Sequence, residues 1–222
     1  MQIELKEITK SYSRKCVLQG VSLTAEGGMC IGILGSNGSG KSTLLSILAG
    51  IQKADSGSFL YEGRDLFTDA ALRSSLVGYV PQGTPLFEEL TVRDNLLLWY
   101  NRKDLLRELE SGILSLLGIK EFLKTPVWKL SGGMKKRLSI GCAMAKHPPI
   151  LLLDEPGAAL DLACKQQILH YLHQYKHSGG LILLTTHDAF ELELCDRLYI
   201  LKNGVAEPCI FNGDLQALTQ QL

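Results

Sequence analysis

Polar and apolar positions alternate from the first residues of the chain. Met1-Gln2-Ile3-Glu4-Leu5-Lys6 switches side at every step, and Ile3 to Ile8 and Val17 to Thr24 both read as half-buried strands. Gly27-Gly28 turns the chain. Met29 to Leu34 (MCIGIL) is then a short continuous apolar run, the pattern of a strand buried on both faces. A single helix is expected in this part, over Ser42 to Leu48, with further strands at Ser58 to Tyr61 and Leu76 to Val80.

From Thr91 to Ala145 the period changes to helical. Leu105, Leu106, Leu109, Ile113, Leu116 and Leu117 recur at helix spacing, and Gly118 is placed as a stop. After Pro148-Pro149, strand and helix alternate: Ile150 to Asp154, Leu162 to Tyr175, Leu181 to Thr186, Ala189 to Leu194 and Arg197 to Leu201, with Asn203-Gly204 as a hairpin turn. This order predicts an α/β fold with a mainly parallel sheet, an antiparallel β lobe near the N-terminus and a helical insert lobe at about 83–146, all within one domain over 1–222.

Composition narrows the choice. Hydrophobic residues make up 45% of the 222 positions and charged residues 21%, which fits a folded chain and not a disordered one. Lys plus Arg and Asp plus Glu balance at 23 each, so no basic excess points to nucleic acid, and none is expected as a partner. Cys16, Cys30, Cys142, Cys164, Cys195 and Cys209 form no CxxC pair, so they are expected to be reduced and mostly buried in a cytosolic protein. No stretch approaches the ~20 apolar residues that span a bilayer; work at a membrane would need another chain.

Gly35-Ser36-Asn37-Gly38-Ser39-Gly40-Lys41-Ser42 fits G-x-x-x-x-G-K-[ST] in full, with a buried strand before it and a helix after it. The glycines let successive N–H groups curl round an anion, and the helix N-terminus adds unpaired N–H groups and a favourable dipole. Lys41 is expected to reach the β- and γ-phosphates and the Ser42 hydroxyl to bind Mg²⁺. A chance match arises in about one chain in a hundred of this length, and the strand–loop–helix context lowers that further. Ile150 to Glu155 is an apolar run ending in two carboxylates. A parallel strand delivers its C-terminal residues into the crevice where ligands bind, so Asp154 is placed to hold Mg²⁺ and Glu155 to polarise an attacking water. The bland alternative, a solvated acidic turn, loses ground beside the phosphate loop.

The residues around these two motifs resemble one family. Leu130-Ser131-Gly132-Gly133 looks like the signature motif of ATP-binding cassette proteins. Gln82 in Tyr79-Val80-Pro81-Gln82 is similar to the family's Q-loop, Gly157-Ala158-Ala159-Leu160-Asp161 to its D-loop, and Thr185-Thr186-His187-Asp188 to its switch histidine. Tyr12 stands where the family places an aromatic that stacks on adenine. Singly each is weak; in order, they cover essentially the whole chain.

The resemblance implies a P-loop NTPase core that hydrolyses ATP with Mg²⁺. Two domains face head to tail, each ATP lying between one subunit's phosphate loop and the other's signature. It assigns the nucleotide to Tyr12, Gly35, Ser36, Asn37, Gly38, Ser39, Gly40, Lys41, Ser42 and Thr43, with Ser131, Gly132, Gly133 and Asp161 also in contact, and the metal to Ser42, Gln82 and Asp154. Glu155, His187 and Gln82 would do the chemistry. The implied partners are a second copy or a related subunit and a transmembrane permease on a separate chain, which would hold this one at the cytoplasmic face. Phe87, Leu90, Leu96, Leu97, Leu98, Trp99 and Tyr100 fall where the family receives a coupling helix from that permease, core packing being the competing role for most of them.

Two departures stand out. Met134 replaces the signature's usual Gln and cannot donate a hydrogen bond to a ribose; the Met134-Lys135-Lys136-Arg137 run resembles the drug-exporter branch. Gly157-Ala158-Ala159 lacks the hydroxyl residues common in the D-loop. The three basic residues after Met134 are expected on an exposed face, near the trans nucleotide or the membrane surface, and His170, His173 and His177 on a solvated helix face. The competing function is an ATPase of the same family in a non-transport process such as nucleic-acid repair, translation control or regulation; the chain has neither the long insertions nor the second cassette usual there.

Overall fold

β1 (Gln2–Tyr12) and β2 (Lys15–Glu26) pair antiparallel. Their alternation sets their faces: Ile3, Leu5 and Ile8 on one strand, and Leu18, Val21, Leu23 and Ala25 on the other, are buried. The computed structural model describes residues 1–13, 15–158, 160–211, 213 and 218; Ala159 of the expected D-loop lies outside them. β3 (Cys30–Leu34) is buried along its whole length and leads through the loop 35–40 into α1 (Lys41–Leu48). β4 (Ser56–Tyr61) and β5 (Arg64–Asp65) complete a four-stranded sheet in the order β2-β1-β4-β5.

A helix absent from the sequence pattern, α2 (Ala70–Leu76), precedes β6 (Val77–Val80), so Leu76 ends a helix instead of opening a strand. No residue of α2 is fully buried; only Leu72 and Leu76 pack half-buried against the core, an apolar edge too short to show as a helical period. Its one local signal is Asp69, whose carboxylate caps the helix by accepting the Leu72 N–H at 2.9 Å.

The helical stretch is divided into α3 (Val92–Leu97), α4 (Arg102–Ser111), α5 (Ile113–Leu116) and α6 (Gly132–Ala143), with short 3₁₀ turns at Ile119–Phe122 and Val127–Lys129. The run from Leu105 to Leu117 is not one helix. The chain breaks at Gly112, where Glu108 folds back and its Oε2 accepts the Ile113 N–H at 3.1 Å, capping α5. Leu105, Leu109, Ile113 and Leu117 face the core, whereas Leu106 and Leu116 are exposed, so the apolar stripe is narrower than the spacing predicts. Gly118 does end the run, in the left-handed conformation at φ 62°.

β7 (Ile150–Asp154), α7 (Leu162–His177), β8 (Leu181–Thr185), α8 (Ala189–Leu194), β9 (Arg197–Lys202) and β10 (Val205–Cys209) follow. The second sheet runs β10-β9-β3-β8-β7-β6. β9, β3, β8, β7 and β6 are parallel, and β10 closes one edge antiparallel after Asn203-Gly204. Leu151, Leu153, Ile182 and Leu184 pack among the helices of the insert and α7. Ile150, Leu152, Leu181 and Leu183 pack in one cluster with α1 and the antiparallel sheet. Burial on both faces explains why these strands read as continuous apolar runs. His170, His173 and His177 lie exposed on α7, and no helix among the described residues is long and apolar enough to cross a membrane.

Because β3, β6, β7 and β8 are parallel neighbours in one sheet, the residues at their C-terminal ends emerge along one edge, where open α/β sheets bind ligands. β3 is packed too tightly for change. A Cβ added to Gly32 would lie 2.4 Å from Leu198 Cδ2 and 2.8 Å from Cys195 Sγ. Gly32→Ala is therefore expected to lower stability by about 1–3 kcal/mol in urea unfolding; an unchanged midpoint would show that the strand has slack.

Candidate functional site

The loop between β3 and α1 is organised around a buried cation. Lys41 is 6% exposed, and its ammonium donates to the carbonyls of Gly35 at 2.6 Å and Ser36 at 3.2 Å. Burial pulls Lys41 below the usual lysine range, while Glu155 and Asp154 push the other way. No carboxylate among the described residues forms an ion pair with it. α1 begins at Gly40, whose φ of 109° favours glycine, and no side chain caps the helix. A Cβ at Gly40 would also meet Val17 Cγ1 at 2.9 Å. The first N–H groups of α1 thus remain available to an anion. Asn37, Gly38, Gly40, Lys41, Ser42 and Thr43 line a cleft of about 460 Å³ whose other walls are Val17, Gln82 and Glu155. Gly35 is buried beneath this loop, Ser36 is exposed on it, and the Ser36 carbonyl accepts the Ser39 N–H at 3.1 Å.

The strand ends are wired to one another. Asp154 is 3% exposed, and its Oδ1 accepts the Thr185 hydroxyl at 2.6 Å. That same hydroxyl oxygen accepts the Glu155 N–H at 3.1 Å, and the Thr185 carbonyl accepts it as well at 3.1 Å. These bonds hold Glu155 at φ 48°, a left-handed conformation that costs a non-glycine residue about 1–2 kcal/mol. The strained turn swings the Glu155 carboxylate into the cleft, where its Oε2 accepts the Gln82 amide Nε2–H at 2.8 Å. Thr185 is the structural link between the two carboxylates, a role the sequence did not disclose.

His187 is exposed just beyond β8 and shares with Glu155 a second, smaller cleft of about 230 Å³. Partial desolvation of its ring and the Lys41 ammonium hold it below the usual histidine range, against the pull of Glu155, so the imidazole is mostly neutral at pH 7. The floor of this cleft includes Glu191, which sequence reasoning passed over. Glu191 is 5% exposed and accepts hydrogen bonds from the Thr186 hydroxyl and the Gly157 N–H, joining the D-loop segment to the switch loop. Burial pushes its carboxyl up to about 7; those two bonds and Lys165 lower it, and Asp188 raises it further. Lys165 pairs with Asp188 across the same floor.

The remaining predicted residues lie outside the first cleft's walls. Ser131 is the N-cap of α6, its Oγ accepting the Met134 N–H at 3.2 Å. Ser131 and Gly132 are exposed, and Gly133 is buried against Cys164. Asp161 caps α7, its Oδ1 accepting the Cys164 N–H at 2.9 Å, a bond that holds its carboxyl below the usual range. Tyr12, at the end of β1, bonds through its hydroxyl to Gln52 and carries Lys10 Nζ 5.5 Å from its ring centre.

The basic run after Met134 corrects the expectation of an exposed face. Met134 packs half-buried against the helical core, and Lys136 and Arg137 are 4% and 8% exposed. Lys136 Nζ donates to the carbonyls of Pro81 at 3.0 Å and Gln82 at 3.1 Å. Arg137 donates to the Leu117 carbonyl at 3.1 Å and Gln167 Oε1 at 2.6 Å, and lies over the Phe122 ring. Only Lys135 is spent nearer the surface, on Glu88. Of the apolar residues after Gln82, Leu96 and Tyr100 are core, whereas Phe87, Leu98 and Trp99 are exposed.

A buried lysine under an anion-ready loop, with two carboxylates at the C-terminal end of β7 two strands away in the same sheet, defines a P-loop nucleotide-binding cassette. Comparison with known proteins agrees: residues 18–158 match the ABC transporter family, and the chain belongs to it. The Nod factor export ATP-binding protein I of Sinorhizobium fredii is 40% identical over 207 residues, 91% of this chain and 60% of that protein. The linearmycin resistance ATP-binding protein LnrL of Bacillus subtilis is 32% identical over 91% of this chain and 67% of its own length. A probable sulfate/thiosulfate import ATP-binding protein, CysA of Chlorella vulgaris, is 36% identical over 92% of this chain and 89% of its own. The chain thus spans about three fifths of the length of the Nod factor relative. Among solved structures, a nucleotide-free ATP-binding cassette from an ABC transporter superposes with a TM-score of 0.83 at 26% identity, covering 99% of this chain and 96% of that one. A dimeric cassette in a post-hydrolysis state bound to ADP and Pi gives 0.82 at 27% identity, covering 96% and 100%.

The raised carboxyl of Glu191 has a measurable consequence. An ordinary Glu ionises at about 4.5 in the unfolded chain, and this one at about 7 in the fold. Its contribution to stability is therefore fully present below the lower value and is lost as pH rises through the upper one. Glu191→Gln should stabilise the chain more at about pH 8.5 than at about pH 5, by about 2 kcal/mol in urea unfolding. An effect independent of pH would mean that the carboxylate is not desolvated.

Proposed function

We propose that this chain is the ATP-binding and ATP-hydrolysing motor subunit of an ABC transporter, working as a pair around two ATP molecules to drive a separate membrane subunit. The observation that carries the reading is the convergence of Lys41, Gln82, Asp154, Glu155 and His187 at the ends of four neighbouring parallel strands. Lys41 exchanges its loop carbonyls for the β- and γ-phosphates, and the N–H groups of the loop and of the first turn of α1 surround the anion. Tyr12 stacks on the base.

The donors at hand suit magnesium: the Ser42 hydroxyl, the Asp154 carboxylate with Oδ1 already on Thr185, and the Gln82 amide oxygen left over when Nε2 bonds Glu155. All are hard oxygens. When bound, the ion supplies charge neutralisation on the phosphate oxygens. Glu155 accepts a proton from the attacking water, and its bond to Gln82 orients the carboxylate. The neutral His187 donates a hydrogen bond to the γ-phosphate.

Ser131, Gly132 and Gly133 take the nucleotide of the opposite subunit, which accounts for the exposed placement of Ser131 and Gly132 at the start of α6, away from their own chain's cleft. Asp161 acts at the same junction. Residues 83–146 form the lobe that faces the membrane subunit, with Phe87, Leu98 and Trp99 as its exposed apolar contacts. The chain then sits at the cytoplasmic face of the membrane through that partner. Export is the favoured direction, on the Met134 form of the signature and on relatives named for Nod factor export and linearmycin resistance.

Glu155→Gln is expected to keep ATP binding while lowering the steady-state hydrolysis rate at least about 100-fold. Equal rates would remove Glu155 from the chemistry. The same variant with ATP and Mg²⁺, used as bait on detergent-solubilised membranes, should recover a polytopic membrane protein in stoichiometric amount. Recovery of soluble protein or nucleic acid alone would favour the non-transport ATPase.

A further inference from the structure

We infer that Lys136 is a positioning residue of the hydrolysis reaction: it carries the placement of the signature helix α6 to Gln82 and, through Gln82, to Glu155. The inference rests on the ATPase reading above. Lys136 lies on the second turn of α6, whose first residues are Gly132 and Gly133. At a rise of about 1.5 Å per residue, the root of Lys136 lies little more than one turn along the same helix from Gly132, so whatever moves Ser131 to Gly133 moves it too.

The other end of Lys136 is fixed on the loop that leaves β6. Its ammonium donates to both the Pro81 and Gln82 carbonyls, at 3.0 and 3.1 Å. Among the described contacts, no other hydrogen bond from outside the loop holds the backbone of residues 81–85. The Gln82 side chain in turn reaches Glu155 Oε2 at 2.8 Å. One lysine therefore joins the helix that meets the opposite subunit's nucleotide to the carboxylate that acts on this subunit's own. The groups facing Lys136 favour the arrangement. Asp154, Glu191 and Glu155 all act to keep its charge, against a burial that pulls it below the usual lysine range. Met could fill the volume, and Gln82 lines the open cleft and is itself exposed, so water can replace the lost donor there; the expected loss is therefore of alignment more than of folding.

The test is steady-state ATP hydrolysis by Lys136→Met and Lys136→Arg, beside wild type, Glu155→Gln and the exposed control Lys103→Met. Lys136→Met should lower kcat about tenfold and leave KM for ATP within about twofold, because the phosphate loop is untouched. Lys136→Arg should recover at least about half of that loss, since a guanidinium can donate to two carbonyls at once. Lys103→Met should match wild type. A kcat within about twofold of wild type for Lys136→Met overturns the proposal. So does a KM that rises in step with the fall in kcat, together with a lowered unfolding midpoint, which marks a packing role. Should Lys136→Met not fold, Lys136→Gln carries the test: its shorter amide cannot span both carbonyls, and an unchanged kcat again overturns it. If wild type does not hydrolyse ATP, or Glu155→Gln matches it, the parent reading fails and takes this one with it. Normal wild-type turnover, a dead Glu155→Gln and an intact Lys136→Met sink Lys136 alone.

Discussion

The site depends on one buried ammonium that no carboxylate among the described residues pairs with. Lys41 is enclosed at the end of β3 and held by two backbone carbonyls. Carbonyl dipoles compensate a desolvated charge only in part, so the loop is built for an anion to complete it. Everything near it serves that arrangement. Gly40 lets α1 start without a side-chain cap, and β3 is locked between β8 and β9 with no room for a side chain at Gly32. The cluster of apolar residues beneath α1 fixes the helix against both sheets.

Parallel pairing then does what sequence distance would seem to forbid. β6, β7 and β8 bring Gln82, Asp154, Glu155 and the Thr185–His187 segment to the edge where the lysine waits. The groups are cross-bonded to one another: Thr185 to Asp154 and Glu155, Gln82 to Glu155, Glu191 to the loops on either side of the smaller cleft. Such bonds fix geometry in advance, which is how an active site avoids reorganisation during reaction. The strained φ of Glu155 is the local cost of this wiring.

Much of this was legible in the sequence, for physical reasons. β3, β7 and β8 are buried on both faces, so they appear as unbroken apolar runs, and the phosphate loop and acidic strand end follow directly from them. The hairpin at Asn203-Gly204 and the stop at Gly118 were legible because their backbone conformations demand those residue types. What escaped had no local signal. α2 rests only Leu72 and Leu76 half-buried on the core, and Gly112 interrupts a helix through a contact with Glu108 that periodicity cannot register. Lys136 and Arg137 were taken for surface because their charges mask long aliphatic stems that can be buried when the head finds carbonyls. Thr185 and Glu191 act through partners some thirty residues away along the chain, a link that only the sheet order reveals. The proposed role of the signature residues rests on resemblance alone, since nothing in their own chain's cleft calls for them.

Calorimetric titration of ATP with Mg²⁺ into wild type and Lys41→Ala tests the buried lysine most directly. The account predicts one nucleotide site per chain in the wild type and an affinity lower by about 100-fold in the variant, because a charge-assisted contact to the phosphates is removed. Equal affinity in the two proteins would contradict it, and would mean that the cation at the end of β3 holds its own loop together and does not receive the nucleotide.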